Sequence, residues 1–299
     1  MKQIINKILL ISAIALTLSS CNNSQNYVGN VAVVDNVPIT KDAYAKELEY
    51  YQKFYSKKYG EDYLDQEIDR NTTKNDKLSS DLIDSMIKDQ VMLNDLKSNN
   101  IKVDDSKATQ IRNNLEKDLG GKDSLKANLT ALGLSENDFN EILYKDSIRK
   151  IHYDYYLKNN DIKDSEVLDF YKENNLYQKQ YKYQALVFDD KNEAKRVKEE
   201  IKSASDFKKF LNASIKNYDV ISSDFVYKDD PRLSKAKVLE KDKVSDLFEY
   251  DGDYTILMVN SYNENENDLL IEAKDIYLKK NYIDYLNKLV RKSKIRLFV

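Results

Sequence analysis

Residues 31–40 read Val-Ala-Val-Val-Asp-Asn-Val-Pro-Ile-Thr, and this stretch decides the fold. The run Val31–Asp35 is rich in β-branched residues and predicts a strand. Residues 36–39 predict a turn, and Thr40 is a preferred N-cap for a helix that begins at Lys41. A second short strand is predicted at Ile295–Phe298. Neither strand is long enough to be stable alone, so we expect the two chain ends to pair and close one domain.

Apolar residues recur at helical spacing over most of the chain between these ends. Further helices are predicted over residues 78–93, 104–118, 122–132, 136–158, 164–174 and 269–291, with Asp105, Ser135 and Asp164 as candidate N-caps. From Tyr181 onward, short strands at residues 183–188, 224–227 and 254–259 alternate with short helices. The sequence therefore predicts an α+β fold. A mainly helical domain comes from residues 31–179 and 263–299, and a small α/β domain is inserted at residues 180–262.

The first 20 residues are typical of a bacterial export signal. Lys2 and Lys7 precede an apolar run at residues 8–18. This run is too short to span a bilayer as a stable anchor. The run ends in Leu18-Ser19-Ser20-Cys21, which resembles the lipobox of bacterial lipoproteins. We therefore predict a signal peptide at residues 1–20, acylation of Cys21 and a polar tether at residues 21–30. Two acyl chains hold a protein stably at a membrane, here on its extracytoplasmic face.

The composition excludes several kinds of chemistry. Cys21 is the single cysteine and His152 the single histidine, so neither an intrachain disulfide nor a Cys/His zinc cluster can form. The six glycines form no phosphate-binding loop, which argues against nucleotide chemistry. The 48 basic and 51 acidic residues are interleaved, without the basic stripe that binds phosphate backbones. We therefore predict no metal, no cofactor and no nucleic-acid partner.

Four short motifs, at residues 31–40, 101–105, 161–166 and 292–296, follow one another along the chain. They resemble the opening strand-turn-helix, the helix connectors and the C-terminal end of the PrsA/SurA family of extracytoplasmic foldases. Asp35-Asn36 replaces the usual Asn-Gly of the first motif. The resemblance implies a helical chaperone domain that binds unfolded, exported polypeptides, with an inserted parvulin-type peptidyl-prolyl isomerase domain. It also implies that a homodimer can form.

The inserted domain departs from the family pattern where catalysis is expected. By the resemblance, Gln184 and Thr255 stand where the family has two histidines, and Asp224 corresponds to the acidic residue of the active-site loop. Prolyl isomerisation breaks no bond, so a catalyst holds a twisted amide among oriented polar groups. We expect Gln184 and Thr255 to hydrogen-bond each other across neighbouring strands, without recreating the imidazole pair. The sequence therefore predicts a parvulin-like domain with weak or no isomerase activity.

Aromatic residues on the first long helix form the candidate client-binding surface. Tyr and Phe residues between 44 and 59 cover more of the helix circumference than one core-facing stripe needs. Tyr50, Phe54 and Tyr55 are the predicted contacts, and packing against neighbouring helices is the competing interpretation of these residues. His152 lies in a predicted helix and is interpreted as an ordinary helical residue rather than a pH-sensing contact.

Three functions fit this sequence. We favour a membrane-anchored, extracytoplasmic chaperone whose partners are unfolded or exported polypeptides, and the lipid bilayer through acylated Cys21. An active peptidyl-prolyl cis-trans isomerase is the first alternative, and a dedicated binding lipoprotein on the same scaffold is the second. Suppression of aggregation and acceleration of prolyl isomerisation separate the three.

Overall fold

A computed structural model describes residues 28–214 and 217–298 of the 299-residue chain. The predicted signal peptide, Cys21 and most of the predicted tether at residues 21–30 lie outside the described residues. The described part is a mainly helical α+β fold, which confirms the predicted fold class. It divides into two compact units. The helical unit comprises described residues up to Asp161 and from Asn281 onward, and the α/β unit runs from Ile162 to Lys280, a range that includes residues 180–262.

The elements before residue 162 are short strands and helices. They are β1 (Asn30–Val34), β2 (Val37–Thr40), α1 (Lys41–Tyr59), β3 (Glu67–Asp69), β4 (Thr72–Thr73), α2 (Lys74–Ser98), α3 (Asp105–Asp118), α4 (Lys122–Leu132) and α5 (Glu136–Asn159). The predicted helices at 104–118, 122–132 and 136–158 therefore match the structure to within one residue. Among the described residues, no helix has the length and apolar character needed to cross a membrane.

The remaining elements form the α/β unit and the C-terminal end. They are α6 (Asp164–Glu173), β5 (Gln180–Phe188), α7 (Lys191–Glu200), α8 (Ala204–Leu211), β6 (Asp219–Ser222), α9 (Pro231–Ala236), β7 (Phe248–Tyr250), β8 (Asp253–Asn263), α10 (Glu266–Lys292) and β9 (Ile295–Leu297). The boundary between the two units falls within α10.

The opening stretch forms a hairpin rather than a strand followed by a turn. Asp35 and Asn36 have φ angles of 49° and 71°. Consecutive left-handed residues of this kind make a tight two-residue turn whose twist matches paired strands. The prediction of a turn at residues 36–39 was therefore wrong, because Val37–Thr40 forms β2 and pairs with β1. Pro38 is tolerated there because β2 lies at the sheet edge, where a missing N–H leaves no ladder bond unmade.

The predicted pairing of the chain ends is confirmed. β1 lies between β2 and β9, and Val33 is opposite Arg296 in the antiparallel β1–β9 pair. The sheet packs on a core that includes Ile87 and Leu96 from α2, Ile148 from α5 and Val290 from α10. Helices from both ends of the chain thus share one hydrophobic core.

Side-chain caps fix where the helices of this unit begin. The Thr40 hydroxyl accepts a hydrogen bond from the backbone N–H of Ala43 at 3.2 Å, as expected for an N-cap. Ser135 and Asp138 form a reciprocal capping box at the start of α5. Asp104, rather than the predicted Asp105, caps α3. Asp164 is likewise the first residue of α6 and not its cap.

The α/β unit contains a four-stranded antiparallel sheet in the order β6-β5-β8-β7. Side chains on one face, including Tyr183, Ala185 and Leu257, pack with Leu233 of α9. Side chains on the other face, including Leu186 and Met258, pack with Val197 of α7 and Phe207 of α8.

The predicted strand at residues 224–227 was wrong. The strand that pairs with β5 in this region is β6, at Asp219–Ser222. Residues 224–227 contribute an isolated bridge between Val226 and Tyr181. The bridge ties this segment to the start of β5 without extending β6.

Candidate functional site

Three tyrosines at the C-terminal end of α1 form a stack that is partly open to solvent. The Tyr59 and Tyr63 rings lie 4.4 Å apart between centroids, and the Tyr55 and Tyr63 rings lie 5.9 Å apart, with interplanar angles of 23° and 16°. Gly60 ends α1, so the chain turns back and places Tyr63 on the rings of the helix. We call Tyr55, Tyr59 and Tyr63 the tyrosine stack.

Two lysines lie over the rings of this stack. The Lys74 ammonium is 3.8 Å from the Tyr63 centroid, and the Lys58 ammonium is 4.5 Å from the Tyr59 centroid. Contacts of this kind hold a cation against an aromatic face while leaving the ring edges free. Tyr59 remains 49% exposed. The helical unit therefore presents an aromatic surface that is bordered by positive charge.

The structure divides the three predicted client contacts between two places. Tyr55 belongs to the tyrosine stack, and Phe54 meets it edge to face at 5.4 Å. Tyr50 faces α5, where its hydroxyl donates to the Asp138 carboxylate. The sequence interpretation included Tyr59 among the aromatic residues of the helix but not among the three predicted contacts, and it missed Tyr63. The i, i+4 spacing of Tyr55 and Tyr59 was a usable signal for Tyr59, whereas Tyr63 depends on the turn at Gly60.

A groove runs between α1 and α5 beside Tyr50. Its volume is about 560 Å³. We call it the α1/α5 groove, and its lining consists of Ala43, Lys46, Glu47, Tyr50, Asp105, Asn140, Glu141, Ile142, Tyr144 and Lys145. Tyr50 is the one predicted client contact that lines it.

Ion pairs join the two walls of the α1/α5 groove. Lys46 of α1 lies 2.7 Å from Glu141 and 3.5 Å from Asp138 of α5. Lys145 of α5 pairs with Glu47 of α1, whose side chain is buried. Hydrogen bonds from Ser135 and Tyr50 lower the pKa of Asp138 to about 2, so this carboxylate stays charged. The walls are therefore held in place by charge as well as by packing.

A buried ion network lies between α2 and α5. The Arg149 guanidinium donates to both carboxylate oxygens of Asp89, at 2.7 and 2.8 Å, and to Asp146 at 3.1 Å. It also donates to the Ser85 hydroxyl at 3.1 Å. Burial raises the pKa of Asp146 to about 6, and the Arg149 charge offsets only part of that rise. The Arg149 guanidinium thus forms ion pairs with two carboxylates.

His152 connects three helices inside the helical unit. Its side chain is fully buried, and its ring nitrogens lie 3.1 Å from Asp95 of α2 and 2.8 Å from the Tyr282 hydroxyl of α10. A carboxylate only accepts, so Nε2 donates to Asp95 and Nδ1 accepts from Tyr282. Tyr285 also donates to Asp95, at 3.0 Å. His152 is therefore a polar link between distant parts of the chain, not the ordinary helical residue of the sequence interpretation.

In the α/β unit, Gln184 and Thr255 do not meet. Gln184 is opposite Met258 in the β5–β8 pair, and Thr255 is opposite Val187. Met258 and Val187 belong to the clusters on opposite faces of the sheet, so the two predicted side chains also point to opposite faces. The expected hydrogen bond between Gln184 and Thr255 was therefore wrong.

The polar groups around the predicted catalytic positions belong to separate segments of the α/β unit. Thr255 is fully buried, and its hydroxyl has no hydrogen-bond partner. Tyr183, which shares its face of the sheet, donates to Asp230 at 3.4 Å. Asp224 is exposed in the segment after β6. The three predicted catalytic positions thus form no joint constellation, and no group of His, Cys, Asp or Glu among the described residues is arranged to hold a metal ion.

Comparisons with solved structures return proteins of low identity. A chain from the structures of PEB4 and Cj1289, described as SurA-like chaperones of Campylobacter jejuni, is 18% identical, with a TM-score of 0.45 and coverage of 90% of this chain and 99% of that one. The foldase PrsA from Lactococcus lactis is 13% identical, with a TM-score of 0.39 and coverage of 90% and 94%. The peptidylprolyl isomerase PrsA from Bacillus anthracis is 18% identical, with a TM-score of 0.33 and coverage of 71% and 94%. No curated protein matches the sequence.

A family model gives the assignment. The model described as the SurA-like N-terminal domain matches residues 1–152, just over half of the chain. The match spans α1 to α4 and most of α5, including the tyrosine stack and the α1/α5 groove. It confirms the family resemblance that the sequence motifs indicated, while the parvulin-like character of the α/β unit stays a prediction. The chain therefore belongs to the SurA-like N-terminal domain family.

Proposed function

We propose that the protein is a membrane-anchored, extracytoplasmic chaperone that binds unfolded, exported polypeptides on its helical unit. The observation that carries the proposal is the partly exposed aromatic surface at the end of α1, within the residues that match the SurA-like family. Exposed aromatic patches rimmed by charge are typical of sites that bind other chains. The homodimer implied by the resemblance stays a prediction.

The tyrosine stack suits clients of varied sequence. Aromatic rings offer large apolar area at little cost in side-chain entropy, and their hydroxyls can still bond backbone groups. The stack is assembled from α1 and from the short 3₁₀ helix at Glu61–Tyr63. Both supports are backbone-ordered elements, so the surface is largely formed before a client arrives.

Client binding is tested by suppression of the aggregation of thermally denatured citrate synthase. Replacement of one exposed aromatic ring removes about 1 kcal/mol of contact, which corresponds to roughly a fivefold loss. We expect Tyr59→Ala to raise the concentration for half-maximal suppression by that factor. Phe225→Ala is the matched control, because Phe225 is a 42% exposed aromatic residue of the α/β unit. Equal effects of the two variants, or no suppression by the wild-type protein, contradict the proposal.

We infer that the α/β unit contributes little or no isomerase activity. The inference is supported by the placement of Gln184 and Thr255 on opposite faces of the sheet, because a pair of that kind cannot orient a twisted amide jointly. In the presence of the wild-type protein, a Xaa-Pro peptide is expected to isomerise no faster than it does without protein. Catalysis that Asp224→Ala abolishes supports the alternative of an active isomerase. A protein that neither isomerises the peptide nor suppresses aggregation is the dedicated binding lipoprotein.

The predicted lipid anchor has its own test. If Cys21 is acylated, the wild-type chain pellets with membranes and incorporates a labelled fatty acid. Cys21→Ser removes the thiol that carries the acyl group, so we expect a soluble, unlabelled protein in the extracytoplasmic fraction. Without both acyl chains the protein lacks the two membrane-binding groups that stable anchoring requires, so membrane binding is lost. A Cys21→Ser protein that still pellets and labels contradicts the anchor.

A further inference from the structure

Carboxylates outnumber ammonium groups in the lining of the α1/α5 groove. Glu47, Asp105 and Glu141 contribute negative charge, against Lys46 and Lys145. Both lysines are already engaged by carboxylates, including Asp138 at the edge of the groove. The lining therefore holds negative charge that its own lysines do not balance.

The same excess continues in the buried network beneath the groove. Asp89 and Asp146 share the single guanidinium of Arg149, and Glu47 acts electrostatically on Asp146. Charges in a low-dielectric interior are screened less than charges in water, so they contribute to the field at the groove. A cation in the groove thus meets attraction from the lining and from the layer behind it.

The groove also offers apolar contacts. Ile142, Tyr50 and Tyr144 lie along it, and Tyr144 is 39% exposed. The Asn140 side-chain amide adds N–H donors of the kind that can bond a peptide carbonyl, while its oxygen accepts from Arg112 at 3.2 Å. The volume of about 560 Å³ falls within the usual range for ligand-binding clefts, roughly 300–1,000 Å³.

We infer that the α1/α5 groove binds extended polypeptide segments in which Lys or Arg side chains alternate with apolar ones. The basic groups lie against Glu141 and Asp105, and the apolar groups lie against Tyr50, Tyr144 and Ile142. The inference rests on the proposed chaperone function and names the class of client segment that this groove takes. The tyrosine stack, by contrast, carries no such charge requirement.

The test measures binding of fluorescein-labelled peptides to the full chain in detergent micelles. One peptide alternates Lys with Leu and Ser, and two partners carry Gln or Glu in place of Lys. We expect the Lys peptide to bind about tenfold more tightly than the Gln peptide at low salt, and the Glu peptide more weakly than either. The preference should shrink as salt rises, because exposed charges are then screened. Equal affinity for the three peptides overturns the inference.

A double variant locates the binding. Asp105→Asn with Glu141→Gln removes two negative charges from the rim, and we expect roughly fivefold weaker binding of the Lys peptide. Asp123→Asn with Glu67→Gln is the matched control, because both residues are exposed and neither lines the groove. If both double variants weaken binding equally, the groove is not the site. Aggregation suppression by the wild-type protein without a preference for the Lys peptide rejects this inference and leaves the chaperone proposal standing.

Discussion

Arg149→Met is expected to destabilise the helical unit by about 3 kcal/mol, because it removes the cation that pairs with the buried Asp89 carboxylate. Asp89 would keep its place among buried residues of α2 without the two charge-assisted hydrogen bonds it now accepts. Asp146 would lose its nearest cation as well. Met has similar length and keeps most of the packing, so the loss reports the unpaired carboxylates rather than a cavity.

Urea unfolding followed by circular dichroism measures the effect of Arg149→Met. Arg112→Met is the matched control: Arg112 is as exposed as Arg149, but its partners Glu116 and Glu136 are more exposed than Asp89. Pairs of that kind contribute about 1 kcal/mol or less. Adding Asp89→Asn to Arg149→Met should recover part of the loss, because a neutral amide is less costly to bury than a charge. Equal losses in the two Arg variants would contradict the prediction.

The helical unit is also expected to lose stability in mild acid through His152. Burial lowers the pKa of His152, and the nearby Asp95 offsets only part of this effect. Protonation forces Nδ1 to donate to the Tyr282 oxygen, which turns the Tyr282 hydrogen toward the weak acceptor Sδ of Met92, at 3.6 Å. Below a pH of about 6.5 the unfolded chain takes up the proton more readily than the folded chain. Stability therefore falls as the pH drops through this window.

The test compares the free energy of unfolding of the wild-type protein with that of His152→Gln over a range of pH. Gln keeps a donor and an acceptor but does not titrate. The stability of the wild-type protein relative to the variant should fall as the pH drops below about 6, with a slope of at most about 1.4 kcal/mol per pH unit. Asp146, whose raised pKa favours the folded state in acid, contributes with the opposite sign, but it is present in both proteins and cancels in the difference. Parallel stability curves for the two proteins would show that His152 is not the titrating group.

The elements that the sequence predicted well depend on local signals. Thr40 and Ser135 cap α1 and α5 as their side chains dictate, and the spacing of apolar residues located α3, α4 and α5 to within one residue. The strand at residues 224–227 failed for a nonlocal reason. Its aromatic and β-branched residues suit a strand, but the registry with β5 places β6 at Asp219–Ser222 instead.

The site residues also divide into those that follow from local sequence signals and those that depend on nonlocal contacts. Adjacent strand positions point to opposite faces, so a shift of one residue in alignment moves a side chain through the sheet. Because of that sensitivity, the motif comparison predicted a contact between Gln184 and Thr255, whereas their side chains lie on opposite faces of the sheet. The role of His152 could not be read from its neighbours in sequence, because its partner Tyr282 lies 130 residues away. Tyr55 and Phe54, by contrast, were accessible from helical periodicity alone.

The pairing of β1 with β9 imposes an order on assembly. A chain that emerges N-terminus first, from a ribosome or a translocation channel, presents β1 with one edge unpaired until residues 295–297 follow. The α/β unit is continuous in sequence from Ile162 to Lys280 and needs no segment from either end. Its sheet can therefore close while the helical unit still lacks its last strand. In such a chain, the three-stranded sheet of the helical unit is completed only after the whole α/β unit has emerged.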